Sequence, residues 1–209
     1  MSTRAPDTAD AYGVLEILQP RGMRATFYVN AQLIGTPGYM SWSQLQDLAD
    51  AVNEIAGHTL THENLRVLST AKARHQVCDD RVSLFEHGFQ PTSFAYPFGR
   101  FNDGVKQVVR DCGYNSARWV AGVDGRRTFA ETIPPRDAYA TRTPQLLKSS
   151  TSLATLQSYV TDAEQHGGGW VQSSSTTCLR GATRMRSRLP TSRPWPTGSR
   201  RGPRGGRWY

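Results

Sequence analysis

Apolar positions recur along the chain with two alternating periods, and each change of period marks an element. Between residues 8 and 18 the spacing is helical: Val14, Leu15, Ile17 and Leu18 share a stripe, Asp7 or Thr8 is the N-cap, and Pro20 and Gly22 end the run. Residues 24–30, RATFYVN, are β-branched and aromatic and predict a buried strand. A Gly/Pro loop, IGTPGYMS, leads to the helical WSQLQDLADAV, and EIAG follows as a short strand. Ser69 to His87 is one long helix, capped by Ser69 or Thr70 and stopped by Gly88. TSFAYP is the next strand, NDGVKQVVRDCG the next helix, and SARWVAG another strand. The stretch around RTFAETIPPRD is irregular, residues 152–166 are helical, and GGGWVQ opens a final strand. This alternation predicts an α/β fold with a parallel sheet or barrel. In such folds the C-terminal ends of strands carry the chemistry. His58, Pro97 and the segment after Gln172 fall at such ends.

Composition changes this picture at one point only. The 209 residues suffice for one α/β domain with a real core, and the hydrophobic (37%) and charged (20%) fractions suit a soluble chain. The net charge of +8 would suggest an acidic partner, but nine arginines lie in residues 173–209, which hold no Lys, Asp or Glu. The body then carries 16 basic against 17 acidic groups, so the overall charge describes the tail alone. No apolar run approaches the roughly 18 to 20 residues of a membrane span, and MSTRAPDTAD lacks the apolar stretch of a secretory signal. Of three cysteines, Cys78 and Cys112 are either a disulfide of an exported protein or two half-buried thiols on helices.

The densest chemistry is in GHTLTH, where His58 and His62 stand four residues apart. In isolation such a pair is either half of a metal site or two hydrogen-bonded loop histidines. A zincin H-E-x-x-H site is excluded, because Thr59 occupies the place of its glutamate. His75 and His87 belong to the surface of the long helix, and His166 to a helix C-terminus, where positive charge suits the dipole.

Four stretches, in order, resemble the polysaccharide deacetylase family (NodB homology, carbohydrate esterase family 4). ILQPRGMRATFYVN is similar to its first helix and second strand, and GHTLTH to its H-[ST]-x-x-H metal motif. SFAYPFG is similar to its third motif, with Ala95 where other members carry arginine, and DCGYNSAR to the helix-to-strand step that follows. The resemblance spans roughly residues 8–172. It implies a distorted, incomplete (β/α) barrel that removes acetyl groups from an N-acetylated polysaccharide or oligosaccharide outside the cell or at its surface. It further implies that His58 and His62, with one carboxylate, hold a divalent metal, usually zinc. A second carboxylate would act as base, and a histidine from the far end of the chain as acid. Tyr96, Pro97 and Phe98 would line the acetyl pocket and supply a backbone donor for the oxyanion; as ordinary strand-end aromatics, Tyr96 and Phe98 would instead belong to the core.

Two departures bear on activity. The family's first motif, T-F-D-D-G, would fall just before Thr8, where Ala5 and Pro6 occupy the places of its two carboxylates. Asp7 is one place away and serves either as a substitute ligand or as a helix cap, and Asp10 lies inside the helix. At the other end, GGGWVQ should continue as an apolar strand ending in histidine, yet SSSTTCLRGATRMRSRLPTSRPWPTGSRRGPRGGRWY follows. One reading is a disordered, arginine-rich tail that binds nucleic acid or acidic lipid. The other is a shifted reading frame. Moving each codon boundary back one base lets SSSTTC read LVFHHV, and the unique Trp codons force Ala after Trp195 and Val at the end.

The sequence thus divides into an atypical segment 1–7, a deacetylase-like domain 8–172 and an out-of-frame, disordered tail 173–209, with no nucleic-acid partner. No catalytic residue is assigned. The chain as given is expected to be inactive and poorly folded, because base, acid and one ligand are missing along with barrel strands. The alternative is a degenerate deacetylase that binds glycan without turnover.

Overall fold

The computed structural model describes residues 15–148 and 150–175; Asp7, Asp10 and the tail beyond Ser175 lie outside the described residues. Residues 15–18 are helical, and Pro20 opens a single 3-10 turn, Gln19–Arg21, that ends at Gly22 in the left-handed region. Five strands follow: β1 (Thr26–Val29), β2 (Glu54–Gly57), β3 (Ser93–Ala95), β4 (Ser116–Gly122) and β5 (Thr141–Thr143). They pair in parallel in the order β1-β2-β3-β4-β5. Strands that neighbour in the sheet as they follow in sequence, joined by crossovers of one hand, wind always the same way. The sheet is therefore an arc of a (β/α) barrel rather than a doubly wound sheet.

Helix α1 (Trp42–Asp50) joins β1 to β2, and Ser41 and Gln44 close a capping box at its start. Between β2 and β3 lies one long helical segment: α2 (Thr70–Arg74), a π turn (His75–Asp79) and α3 (Asp80–Glu86). Helix α4 (Asp103–Asp111) leads to β4, with the Asn102 side chain capping Val105 N at 2.9 Å. Helix α5 (Leu153–Gln165) is capped by Ser152.

The alternation of strand residues divides the sheet into two faces. Phe27, Val29 and Ile55 pack outward on Leu45 and Leu48 of α1 and Leu84 of α3. Phe94 and Ala117 pack outward on Val77 of the π turn and Val105, Val108 and Val109 of α4. Tyr28, Ser93 and Arg118 point to the opposite face, where the Ser93 hydroxyl donates to Tyr28 Oη (3.2 Å) and the Arg118 guanidinium lies 4.5 Å from the Tyr28 ring. Cys78 of the π turn and Cys112 at the end of α4 form a disulfide with a Cα separation of 5.0 Å. This selects one of the two alternatives that the sequence leaves open.

Two elements differ from the sequence reading. β5 lies inside the stretch taken as irregular; its Thr141 and Thr143 are buried and donate their hydroxyls to Ala117 O and Trp119 O of β4. Conversely, GGGWVQ forms no strand among the described residues. Gly167, Gly168 and Gly169 all take positive φ (91°, 81° and 140°), which breaks extended pairing, and Trp170 makes only an antiparallel bridge to Glu131.

Candidate metal centre

His58 follows directly on β2, and the loop it opens folds back so that His62 meets it. The two ring centroids are 4.7 Å apart at an interplanar angle of 68°. His58 Nδ1 lies 2.7 Å from Ala95 O at the end of β3. With Nδ1–H donating to that carbonyl, the free lone pair is on Nε2. Burial, the neighbouring His62 and Arg118 push the His58 pKa down to about 3, against the bond to Ala95. The ring is therefore neutral at physiological pH, the form a metal requires. Burial lowers the His62 pKa as well.

The loop between the histidines holds unusual backbone. Thr59 (φ 73°) and His62 (φ 64°) are both left-handed, which costs a non-glycine residue roughly 1–2 kcal/mol. The surroundings over-determine this geometry. Asn30 Nδ2, buried at the end of β1, donates to His58 O (2.6 Å) and Thr59 O (3.0 Å). Asp80, with no solvent exposure, accepts from Ala31 N (2.9 Å) and His58 N (3.1 Å). Burial pushes the Asp80 pKa up to about 7, even though the N–H groups of Ala31, His58 and Thr59 and the Tyr114 hydroxyl favour its charged form. Gly57 is required here. A Cβ at that position would sit 1.9 Å from Tyr114 Oη and 2.9 Å from Asp80 Oδ2.

The third predicted motif lies against the same histidines. Pro97–Gly99 make a 3-10 turn in which Phe98 takes φ 58°, and its half-exposed ring lies 4.6 Å from the His62 ring, edge to face. Pro97 is buried in that turn. Tyr96 turns its side chain into the outer core, stacks on Phe101 and donates its hydroxyl to Tyr139 O at 2.9 Å. Of the three, Phe98 brings its side chain to the histidines. Asp7 lies outside the described residues, and among these no third His, Cys, Asp or Glu completes a cluster with His58 and His62. The donor chemistry fits a divalent ion as far as it goes: two neutral imidazoles, one with its tautomer fixed by a carbonyl.

His75 and His166 are placed elsewhere. His75 is exposed and pairs with Asp79, and His166 hydrogen-bonds Asp162 O (2.7 Å) and stacks on Phe129. His87 hydrogen-bonds Ser83 O (2.8 Å) and stacks on Trp42 with ring centroids 3.4 Å apart. Asp80 and Asn30 escaped the sequence reading. Asp80 left a trace, because it interrupts the apolar stripe of Ala73, Val77 and Leu84 on the long helix.

Residues 6–117 match the family model for polysaccharide deacetylase. YxkH of Bacillus subtilis, itself inferred to be a polysaccharide deacetylase, is 30% identical over 107 residues, covering 50% of this chain and 37% of that protein. The peptidoglycan-N-acetylglucosamine deacetylase PgdA of Listeria monocytogenes is 27% identical over 116 residues, covering 54% of this chain and 23% of its own. Among solved structures, the Streptococcus pyogenes deacetylase PplD in complex with acetate superposes with a TM-score of 0.61 at 19% identity, covering 73% of this chain and 66% of that one. The chain thus spans well under half the length of these two sequence relatives, and the structural likeness concerns the fold.

Proposed function

Because the chain belongs to the polysaccharide deacetylase family, we propose that the site at His58 and His62 is the metal-binding half of a centre for hydrolysing N-acetyl groups on a glycan. The observation that carries this reading is the pair of imidazoles in contact at the C-terminal end of β2, one of them tied through Nδ1 to the end of β3. Asp7 is the residue proposed as third ligand. When bound, a divalent ion, zinc by preference, supplies polarisation of the acetamide carbonyl and a more acidic water. His58 and His62 hold such an ion from one side, and Phe98 beside His62 forms an apolar wall for the acetyl methyl. Pro97 and Tyr96 fix the turn that carries Phe98. Relatives named for peptidoglycan support a cell-wall glycan as substrate and an exported location. No helix among the described residues is long and apolar enough to cross a membrane.

We also propose that this chain has lost turnover. Ala5 and Pro6 stand at the places of the family's carboxylate pair, and residues 173–209 contain no histidine to act as the acid. Losing a positioned base or acid costs about 10² to 10⁴ in rate each. The proposed domain limits are 8–172, with 173–209 read out of frame. Leu147 N donates to Ser174 O at 2.8 Å, and Ser175 makes a parallel bridge to Leu147. The serine run thus enters along the line of a strand, where the shifted reading would place apolar residues. Nucleotide sequence across the Gln172 codon decides this; an uninterrupted frame through the serine run ends the proposal.

The test of the site is a titration with Zn²⁺ and Co²⁺ together with acetate release from chito-oligosaccharide. The expected result is metal binding abolished by His58→Ala and by His62→Ala, with no acetate above background. Metal binding that survives both substitutions would overturn the ligand assignment, and metal-dependent acetate release would overturn the loss of turnover. A non-catalytic glycan-binding role is the second reading, favoured by the half-exposed Phe98 ring beside the histidines. Chito-oligosaccharide should then raise the melting temperature without being cleaved, and Phe98→Ala should remove that shift.

A further inference from the structure

The histidine loop is not held by its own strand. His58 N donates to Asp80 Oδ2 (3.1 Å), Leu60 N donates to Gln76 O (3.1 Å), and Thr61 N donates to Gln76 Oε1 (3.1 Å). Three of the four amides from His58 to Thr61 therefore end on two residues of one helical segment. His62 N is taken inside the loop by Thr59 Oγ1 at 2.9 Å. Gln76 Nε2 adds bonds to Thr61 Oγ1 (2.9 Å) and Glu63 Oε1 (3.1 Å).

An ordinary α-helix cannot offer all of these. Its interior carbonyls are committed to amides four residues on, so none is aimed outward. At this point the helix widens into the π turn His75–Asp79, a device found mostly as a single turn and often at functional sites. There the Gln76 carbonyl accepts from Leu60 N of the loop, while Asp80 follows one turn later on the same side. The back of the π turn is fastened by Cys78–Cys112 to the end of α4. Left-handed Thr59 and His62 persist only where surroundings dictate them, and these bonds do the dictating.

We propose that the π turn, through Gln76 and Asp80, is a cradle that sets the backbone of the metal-ligand loop, making both of them positioning residues for His58 and His62. Neither is a ligand. The inference rests on the metal-centre reading for its consequence, whereas the cradle itself is observable without metal. Partners that orient ligands typically govern about 10- to 100-fold in metal affinity.

The test uses the full chain with its disulfide intact and has two readouts. The first is hydrogen exchange of the segment 58–62 without metal; the second is Co²⁺ affinity from its visible absorption bands. Asp80→Asn, which keeps the volume and loses one acceptor, should speed exchange in 58–62 and weaken Co²⁺ about 10- to 100-fold. Should Asp80→Asn fail to fold, Gln76→Ala carries the test, since it removes the side-chain bonds to Thr61 and Glu63 and leaves the carbonyl. Leu84→Ala, a core change one turn beyond Asp80 that removes none of the hydrogen bonds to the loop, should lower the melting temperature with Co²⁺ affinity unchanged. If Asp80→Asn or Gln76→Ala lowers stability as Leu84→Ala does but leaves exchange in 58–62 and Co²⁺ affinity unchanged, the cradle is refuted. If exchange responds as stated while the unsubstituted chain binds no Co²⁺, the cradle stands and the metal-centre reading falls.

Discussion

Glu131 offers a stability prediction that is specific in both size and pH. Its side chain is 1% exposed, and one carboxylate gathers the Arg142 guanidinium through Nη2 (2.7 Å) and Nε (3.1 Å), with Arg142 N (2.8 Å) and Thr132 N (2.9 Å). Burial alone would raise its pKa, but these donors outweigh it and hold the group down to about 2, against an ordinary 4.5. Because the folded pKa is depressed, the stabilisation is fully present above pH 4.5 and is lost as pH falls towards 2. At about 1.36 kcal/mol per pH unit, the difference is worth about 3 kcal/mol. Glu131→Gln keeps the shape and removes the charge. Urea denaturation followed by circular dichroism should show a deficit of about 3 kcal/mol at pH 7 that closes between pH 4.5 and 2. Urea is the right denaturant, since guanidinium chloride would screen the pair. Other acid-sensitive groups, the buried His58 among them, are common to both proteins and cancel in the difference. A deficit that stays constant down to pH 2, or one under about 1 kcal/mol at pH 7, would refute the reasoning.

Two further outcomes follow from single contacts. Gly57→Ala drives a methyl to 1.9 Å from Tyr114 Oη and should cost about 1–3 kcal/mol by overpacking, read as a lower melting temperature; an unchanged melting temperature counts against the contact. Replacing Cys78 and Cys112 by alanine opens a cross-link between residues 34 apart in sequence and should lower the unfolding free energy by about 2–4 kcal/mol, measured against the intact chain without reductant.

Periodicity made most of the arc legible, because the outward residues of β1 to β4 are apolar or glycine and α1, α2, α4 and α5 each start at a capping Ser or Asn. RATFYVN contains β1, EIAG is β2, and Ser69 and Gly88 bracket the long helical segment. β5 was not legible. Its three residues, TRT, carry no apolar side chain, and its threonines satisfy their hydroxyls on carbonyls of β4, so burial here leaves no hydrophobic signature. GGGWVQ misled for the opposite reason: Trp and Val suggested a strand, whereas the backbone is decided by three left-handed glycines. The disulfide lay between the two, since two cysteines give a possibility and only the packing of the π turn on α4 gives a distance.

The candidate site shows the same division at finer grain. The identity of the histidines is local and can be read from GHTLTH, but of the bonds that set their geometry only the one from His62 N to Thr59 Oγ1 lies inside the motif. The remaining bonds come from outside the motif, to the carbonyls of His58 and Thr59 and to the amides of His58, Leu60 and Thr61. What holds the histidines is contributed by Asn30 from β1, Gln76 and Asp80 from the helical segment, and Ala95 from β3, separated from His58 by 28, 18, 22 and 37 residues. Asp80 is the informative case. A carboxylate on the apolar stripe of a buried helix is unfavourable unless several donors converge on it, so its presence there implied a cluster of amides aimed at the helix before any coordinates did. A charged residue breaking an amphipathic stripe within about 25 residues of a ligand motif is thus a readable sign that the motif is positioned from outside itself.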